Sequence, residues 1–270
     1  MIDLGSGPPL VLVPGIQGRW EWMRPAVSAL AARCRVLSSS LAGDPGSDGP
    51  LDPGRGFDSF VDQIDRMREG AGVSRVALCG VSFGGLIAVR YAATWPDRVA
   101  ALVLVSSPGP RWRPDARVGR YVRQPIAMAP LFAAGVPFRL GPEIVAASDG
   151  IWPALRFAVR HTARVLAAPM SPTRMSQRVR LAGDVDFVAA CAKVRAPALV
   201  VTGEPGLERV MRPESTREYA PLIAGARVVT FERTGHIGLV TRPDRFAEIV
   251  GDFVEEALGL EERTARVSAR

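Results

Sequence analysis

A serine set between glycines is the residue of this 270-residue chain best suited to nucleophilic chemistry. Ser82 lies in the sequence GVSFGG, directly after an apolar run and directly before a helical pattern. A serine at a strand-to-helix turn is held out of the sheet, and small neighbours two positions away let the chain turn tightly. The N–H groups that open the following helix stabilise negative charge on a reacting oxygen. The order of elements favours a nucleophile over an ordinary Gly-Ser turn.

A serine at its ordinary pKa needs an adjacent base, and the chain has two histidines. His236 lies in the sequence TGHIG after an apolar run, and the carboxyl ends of parallel strands are where doubly wound sheets place their sites. His161 lies in a helical segment between Arg160 and Arg164, which is typical of a surface histidine. We therefore predict His236 as the base.

An acid should orient that imidazole, and the loop at residues 203–213 offers two. Glu204 directly follows an apolar run, and Glu208 comes four residues later. Either could instead be a solvated loop acid or a partner of Arg209 or Arg212. The local pattern leaves both open.

Short Val- and Leu-rich runs separated by helical patterns must position these residues. Such runs are typical of strands buried on both faces of a parallel sheet. One helical pattern repeats apolar residues from Phe57 to Met67, with Asp58 as its expected N-cap, and another runs from residue 86 to before Pro96. A last helix is predicted at 242–258. The alternation predicts a doubly wound α/β fold, with strands at residues 10–13, 35–37, 76–79, 99–105, 198–202 and 227–231.

The alternation stops between residues 109 and 193, where helical fragments are interrupted by many prolines. We predict a core of residues 1–109 and 194–270 with a helical insertion at 110–193.

These motifs, in the order serine, acid, histidine, resemble the α/β-hydrolase superfamily over nearly the whole chain. The sequence LVLVPG at 10–15 is similar to the strand and turn that supply the oxyanion hole, which implies that the N–H groups of Ile16 and Phe83 hold the oxyanion. The sequence RVMRP at 209–213 is similar to the run after the acid, which favours Glu208. The insertion resembles the family's helical cap. A serine nucleophile argues against the haloalkane dehalogenase and epoxide hydrolase branches.

The chain departs from the family pattern at three places. Pro14-Gly15 stands where His-Gly is common, and the acid is glutamate instead of aspartate. Residues 1–7 are too short for the usual hairpin before the first central strand. With so few residues before it, the strand at residues 35–37 would have no neighbouring strand on its outer side. We predict that a second subunit covers this edge in a homodimer, and a misassigned start codon is the alternative explanation.

Two tryptophans follow the predicted oxyanion loop. Trp20 and Trp22 could line a substrate pocket, or they could pack against the helix that begins near Met23. We take both as candidate substrate-binding residues.

The positive charge is concentrated in the insertion. The chain has a net charge of +7, and residues 110–190 hold twelve arginines against five acids. Arg156, Arg160 and Arg164 recur at a helical spacing, while Trp152, Leu155, Val159 and Leu166 belong to the other face of the same helix. The alternatives are a solvated helix face, steering of an anionic substrate, and docking on an acidic membrane or partner. Nucleic acid is disfavoured, because the sequence has no binding motif for it.

Composition excludes several other classes. Two histidines and three scattered cysteines fit neither a zinc site nor a disulfide framework, and no metal or cofactor is predicted. The N-terminus has no signal-peptide pattern and no apolar run is long enough to span a bilayer, so we expect a cytoplasmic protein.

The sequence thus predicts a serine hydrolase that cleaves an ester or similar acyl bond of a small molecule through Ser82, His236 and Glu208. One alternative is a non-catalytic binding or interaction protein with this fold. Another keeps the triad for acyl transfer, C–C bond hydrolysis or cofactor-free peroxidation. The natural substrate stays open.

Overall fold

One seven-stranded sheet forms the centre of the computed structural model, which describes the backbone of residues 1–268 and the side chains of residues 1–259. The strand order is β1-β3-β2-β4-β5-β6-β7, and every pair is parallel except β1 with β3. All six predicted strands are present, with ends within two residues of the prediction. The strands are β1 (Ile2–Leu4), β2 (Pro9–Val13), β3 (Arg35–Ser38), β4 (Val76–Val81), β5 (Val99–Val105), β6 (Ala198–Gly203) and β7 (Arg227–Phe231).

The strand that was not predicted, β1, corrects one expectation. Its three residues pair antiparallel with β3, and the Asp3 carboxylate accepts two hydrogen bonds from Arg35, at 2.9 and 2.7 Å. The expected bare edge at residues 35–37 was wrong, because three extended residues suffice to pair a four-residue strand. The sheet edge that motivated the homodimer prediction is therefore covered by the chain itself.

Helices cover both faces of the sheet, which confirms the doubly wound prediction. Side chains of β2 alternate between the two faces, with Val11 and Val13 in one apolar cluster and Leu10 and Leu12 in the other. The first cluster includes residues of α2 and α3, and the second includes residues of α1 and α12. The core helices are α1 (Arg24–Leu30), α2 (Asp58–Gly70), α3 (Phe83–Thr94), α10 (Pro213–Arg217), α11 (Gly238–Thr241) and α12 (Pro243–Ser268).

The predicted N-cap of α2 was wrong by one residue. Phe57 occupies the cap position, and Asp58 is the first helical residue. Its carboxylate accepts two hydrogen bonds from Arg90 of α3, at 2.8 and 2.9 Å, so this acid ties two core helices together instead of capping one.

The insertion is helical throughout its described elements, as predicted. Its last helix, α9, packs against α3, and Phe187 and Cys191 are buried in the first apolar cluster. Because α9 packs on the core, "cap" here denotes the part of the insertion before it, residues 110–186. No helix of the described chain is both long and apolar enough to cross a membrane. The insertion contains α4 (Ala116–Arg123), α5 (Pro125–Ala134), α6 (Val136–Ala147), α7 (Ile151–Ala167), α8 (Pro172–Gly183) and α9 (Phe187–Cys191).

Candidate active site

Ser82 lies at a sharp turn between β4 and α3. Its backbone has φ 52° and ψ −123°, which is a strained conformation for a residue other than glycine. Its N–H is fixed by the carbonyl oxygen of Val105 at 2.8 Å. A Cβ on Gly80 would lie 2.4 Å from the Gly84 oxygen, and one on Gly84 would lie 2.4 Å from the Val13 oxygen. The glycine spacing is therefore a steric requirement of this turn.

The turn opens into an apolar cavity of about 200 Å³ between core and cap. Ser82, Phe83 and Ile16 line its floor from the core. The residues that line this cavity include no acidic or basic side chain, so the arginine excess of the cap lies away from the cavity wall. Large side chains around the cavity include Trp112, Tyr121, Phe132, Met170, Met175 and Met211.

His236 and Glu208 meet at the carboxyl end of the sheet. Nδ1 of His236 lies 3.3 Å from Oε2 of Glu208, and both side chains are buried. Burial alone would lower the pKa of His236, but the Glu208 carboxylate outweighs this effect and the net pKa is raised. Burial likewise opposes ionisation of Glu208, whose pKa is nevertheless lowered by His236 and by backbone N–H groups. The pair is arranged to stabilise an imidazolium.

The structure distinguishes the two candidate acids by their contacts. Oε1 of Glu208 accepts the N–H groups of Val210 and Met211 at 3.0 and 2.9 Å, which leaves Oε2 to face His236. Glu204 instead accepts the N–H of Arg233 at 2.8 Å. Only Glu208 has a described contact with the histidine.

The predicted oxyanion residues lie beside the serine. Ile16 and Phe83 both line the cavity, and a Cβ on Gly15 would lie 3.3 Å from Cβ of Ser82. The loop that carries Ile16 thus packs directly on the turn that carries Ser82. Phe83 is the first residue of α3, where backbone N–H groups have no helical acceptor.

Arg178 of α8 holds this loop from the cap, and sequence reasoning did not identify it. Its Nη1 donates to the carbonyl oxygen of Ile16 at 2.8 Å, and its Nη2 contacts the Asp44 carboxylate. The Arg178 and Asp44 side chains are 2% and 1% exposed. An arginine in an arginine-rich segment is unremarkable in sequence, so only the fold reveals that this one is buried.

Glu143 of α6 holds the loop that carries His236 from the cap, and sequence reasoning did not identify it either. Both of its carboxylate oxygens lie within hydrogen-bond distance of the Ile237 N–H, at 3.1 and 3.0 Å, and the residue is fully buried. Burial raises its pKa to about 7 despite hydrogen bonds from the loop backbone. Its sequence signal was weak, because it is a single acid in a mostly apolar helix whose other charged residue is Arg139.

The two tryptophans predicted to bind substrate lie elsewhere. Neither is among the residues that line the cavity. Trp22 donates its indole N–H to the carbonyl oxygen of Ala168 at 2.8 Å and so links core to cap. Trp20 packs against the second apolar cluster, in keeping with the packing alternative.

A strained serine turn on a mostly parallel sheet, with an acid–histidine pair on later strand ends and a helical cap, defines the alpha/beta hydrolase class. A family model described as the alpha/beta hydrolase fold matches residues 8–127. The chain is 24% identical to the enol-lactonase of Burkholderia xenovorans LB400, with a TM-score of 0.78 over 94% of this chain and 95% of that one. The chain therefore has the alpha/beta hydrolase fold.

Two curated relatives by sequence are also similar over most of their length. A 2-hydroxymuconate semialdehyde hydrolase of Pseudomonas sp. strain CF600 is 27% identical, over 94% of this chain and 89% of the relative. A poly(3-hydroxyalkanoate) depolymerase of Ectopseudomonas oleovorans is 26% identical, over 92% of this chain and 84% of the relative. The names of these relatives support hydrolase activity, without indicating a particular substrate for this chain.

Proposed function

We propose that this protein is a serine hydrolase that cleaves esters with an uncharged, apolar acyl group. The observation that carries the proposal is the position of Ser82, strained and directed to an apolar cavity, on the same sheet edge as a buried His236–Glu208 pair. The hydrolase and depolymerase names of the sequence relatives agree with this chemistry.

The proposed reaction begins with attack of Ser82 Oγ on the ester carbonyl carbon. Because Nδ1 of His236 faces Glu208, Nε2 is the nitrogen left to take the serine proton. The tetrahedral oxyanion is held by the N–H groups of Ile16 and Phe83. The imidazolium then gives its proton to the leaving alcohol, and an acyl-enzyme remains.

Water completes the cycle. His236 removes a proton from the water that attacks the acyl carbon, a second tetrahedral intermediate forms, and the proton returns to Ser82 Oγ as the carboxylic acid leaves. Ionised Glu208 stabilises the imidazolium in both halves.

The cavity sets the proposed substrate class. Its wall is formed by Trp112, Phe132, Met175 and similar side chains, which bind hydrocarbon and offer no cation to a carboxylate. A neutral acyl group therefore fits this wall better than the anionic substrate considered from the charge excess alone. Its volume of about 200 Å³ favours acyl groups of medium length.

Covalent labelling with a fluorophosphonate tests the proposal directly. We expect wild type and Ser47→Ala to label and Ser82→Ala to remain unlabelled, with all three folded by circular dichroism. A series of p-nitrophenyl esters from acetate to dodecanoate should show a maximum in kcat/KM above acetate. Folded wild type that neither labels nor turns over any of these esters would favour a non-catalytic binding protein.

A further inference from the structure

Helix α7 turns its apolar side to solvent. Ile151, Leu155, Val159 and Leu166 recur at spacings that place them on one side of a helix, and each is more than half exposed. Trp152, next to this row, is 77% exposed. A helix that packs on a globular core normally buries such a row, so the orientation of α7 calls for an explanation.

The opposite side of α7 fixes this orientation. Ala154 is buried, Phe157 packs against the second apolar cluster, and the imidazole of His161 stacks on the Phe157 ring with centroids 5.5 Å apart. The carbonyl oxygen of Ala168, directly after the helix, accepts the hydrogen bond from Trp22. The exposed apolar row therefore results from specific contacts on the inner side of the helix.

The exposed side also carries positive charge without negative charge. Arg156 and Arg160 each follow a residue of the row by one position, which places them along its border about 100° around the helix, and both are exposed. No acidic residue occurs in α7. Burial lowers the pKa of His161 to about 4, so this residue adds no charge at neutral pH.

The neighbouring helix α6 also exposes large apolar side chains. It packs against α7 and exposes Phe138 and Val145, which are 78% and 58% accessible and seven residues apart. On its other flank, α6 contacts α5, whose Pro125, Ala129 and Phe132 line the cavity. The helix that carries the exposed row thus contacts α6, and α6 in turn contacts a helix that lines the candidate active site.

From this juxtaposition we infer that α7 docks the protein on an anionic lipid surface. An in-plane membrane helix buries Trp and Leu side chains at the boundary of head groups and acyl chains, while arginines at its border bind anionic head groups. The row from Ile151 to Leu166 with Arg156 and Arg160 has this arrangement. Lipid, unlike an acidic protein partner, matches both the apolar row and its basic border.

Vesicle flotation tests the docking, with two sets of vesicles, one of phosphatidylcholine alone and one of phosphatidylcholine and phosphatidylglycerol in equal amounts. We expect wild type to float with the anionic vesicles only, and salt to weaken the binding. Arg156→Glu/Arg160→Glu should lower the vesicle-bound to free ratio at least about tenfold. Arg66→Glu/Lys193→Glu changes the net charge equally at exposed core positions and should bind like wild type.

Two further variants test whether the apolar row inserts into the lipid and whether docking depends on catalysis. Leu155→Ser/Val159→Ser keeps the arginines, and its loss of flotation would show that the apolar row inserts. Ser82→Ala should float like wild type, because docking does not depend on the proposed catalysis. Failure of wild type to bind anionic vesicles, or unchanged binding by Arg156→Glu/Arg160→Glu, would overturn the inference. So would a dimer in sedimentation velocity that Trp152→Glu converts to monomer, since α7 would then be covered by a second copy.

Discussion

The core and the cap use their apolar residues in opposite ways. All seven residues of β5 are buried between the two helical layers, whereas five large apolar side chains of α7 face solvent. Core helices have a two-faced sheet to pack on. Cap helices have only each other, the cavity and one edge of the core, so part of their apolar surface stays exposed. The difference shows that apolar burial stabilises the core, while the cap depends on other contacts for its position.

Several of those other contacts are polar. Glu143 binds the loop of the histidine, Arg178 binds Asp44 and the loop of Ile16, and Trp22 binds the end of α7. Each joins the cap to a core segment that carries or adjoins a candidate site residue. We therefore expect substitutions in the core to change stability, and substitutions at the cap contacts to change activity as well.

The largest effect is expected within the core part of the site. Glu208→Gln should lower kcat by about 10³- to 10⁴-fold, since a neutral amide neither stabilises the imidazolium nor holds the productive tautomer. Ester turnover measures this, and Glu204→Gln serves as the matched control with activity near that of wild type. Equal losses in both variants would contradict the assignment of Glu208.

Substitution of one phenylalanine in the core and one in the cap tests the difference in burial between the two regions. Phe60 is 1% exposed in the core, and Phe138 is 78% exposed in the cap. Phe60→Ala should lower the free energy of unfolding by about 3–5 kcal/mol, while Phe138→Ala should change it by less than about 0.5 kcal/mol. Urea denaturation gives both values. A large loss for Phe138→Ala would mean that the outer face of the cap is covered.

The buried ion pair of Arg178 and Asp44 tests whether a contact between cap and core affects both stability and catalytic activity. Arg178→Met leaves the Asp44 carboxylate buried with Arg174 as its remaining partner, at 3.5 Å. We expect a loss of about 3 kcal/mol in the free energy of unfolding, and a lower kcat because the Ile16 carbonyl loses its donor. Denaturation and ester kinetics check the two effects. The double variant Arg178→Met/Asp44→Asn should regain stability without regaining kcat.

The last two predictions concern the dependence of stability and catalysis on pH. The pKa of Glu143 is raised from 4.5 to about 7 in the folded protein, so the folded state holds its proton more tightly than the unfolded state. The free energy of unfolding should therefore fall as the pH rises through this window, by on the order of 3 kcal/mol from this group. Glu143→Gln should remove that dependence, as urea denaturation at pH 5 and pH 8 would show.

The same variant should alter the pH profile of catalysis. Ionised Glu143 raises the pKa of His236, so its removal should move the rising limb of kcat/KM to lower pH, by up to about one pH unit. The exposed Glu214→Gln should leave the limb unchanged. An unmoved limb in Glu143→Gln would limit Glu143 to a structural role.

The strands of the sheet and the chain order of the candidate site residues were predictable from the sequence alone. Short apolar runs such as 99–105, bounded by turn residues, are typical of strands buried on both sides of a parallel sheet, and their ends were predicted within two residues. Gly80 of the serine turn is required for a local reason, because its Cβ would meet the backbone of Gly84, whereas Gly84 is required by the Val13 carbonyl of the neighbouring strand. The pairing of β1 was missed because three residues carry no periodicity.

Tertiary structure decided what local pattern could not. Glu204 and Glu208 are alike in sequence, and only the loop geometry turns Glu208 toward His236. Arg178 and Glu143 became positioning candidates because the cap buries them beside loops that are distant in the chain. The apolar row of α7 was recognisable in the sequence as a helical pattern. Such periodicity shows only that its residues lie on the same side of the helix. Which side faces solvent depends on the contacts of Phe157 and Ala168 with the core, and those exist only in the folded chain.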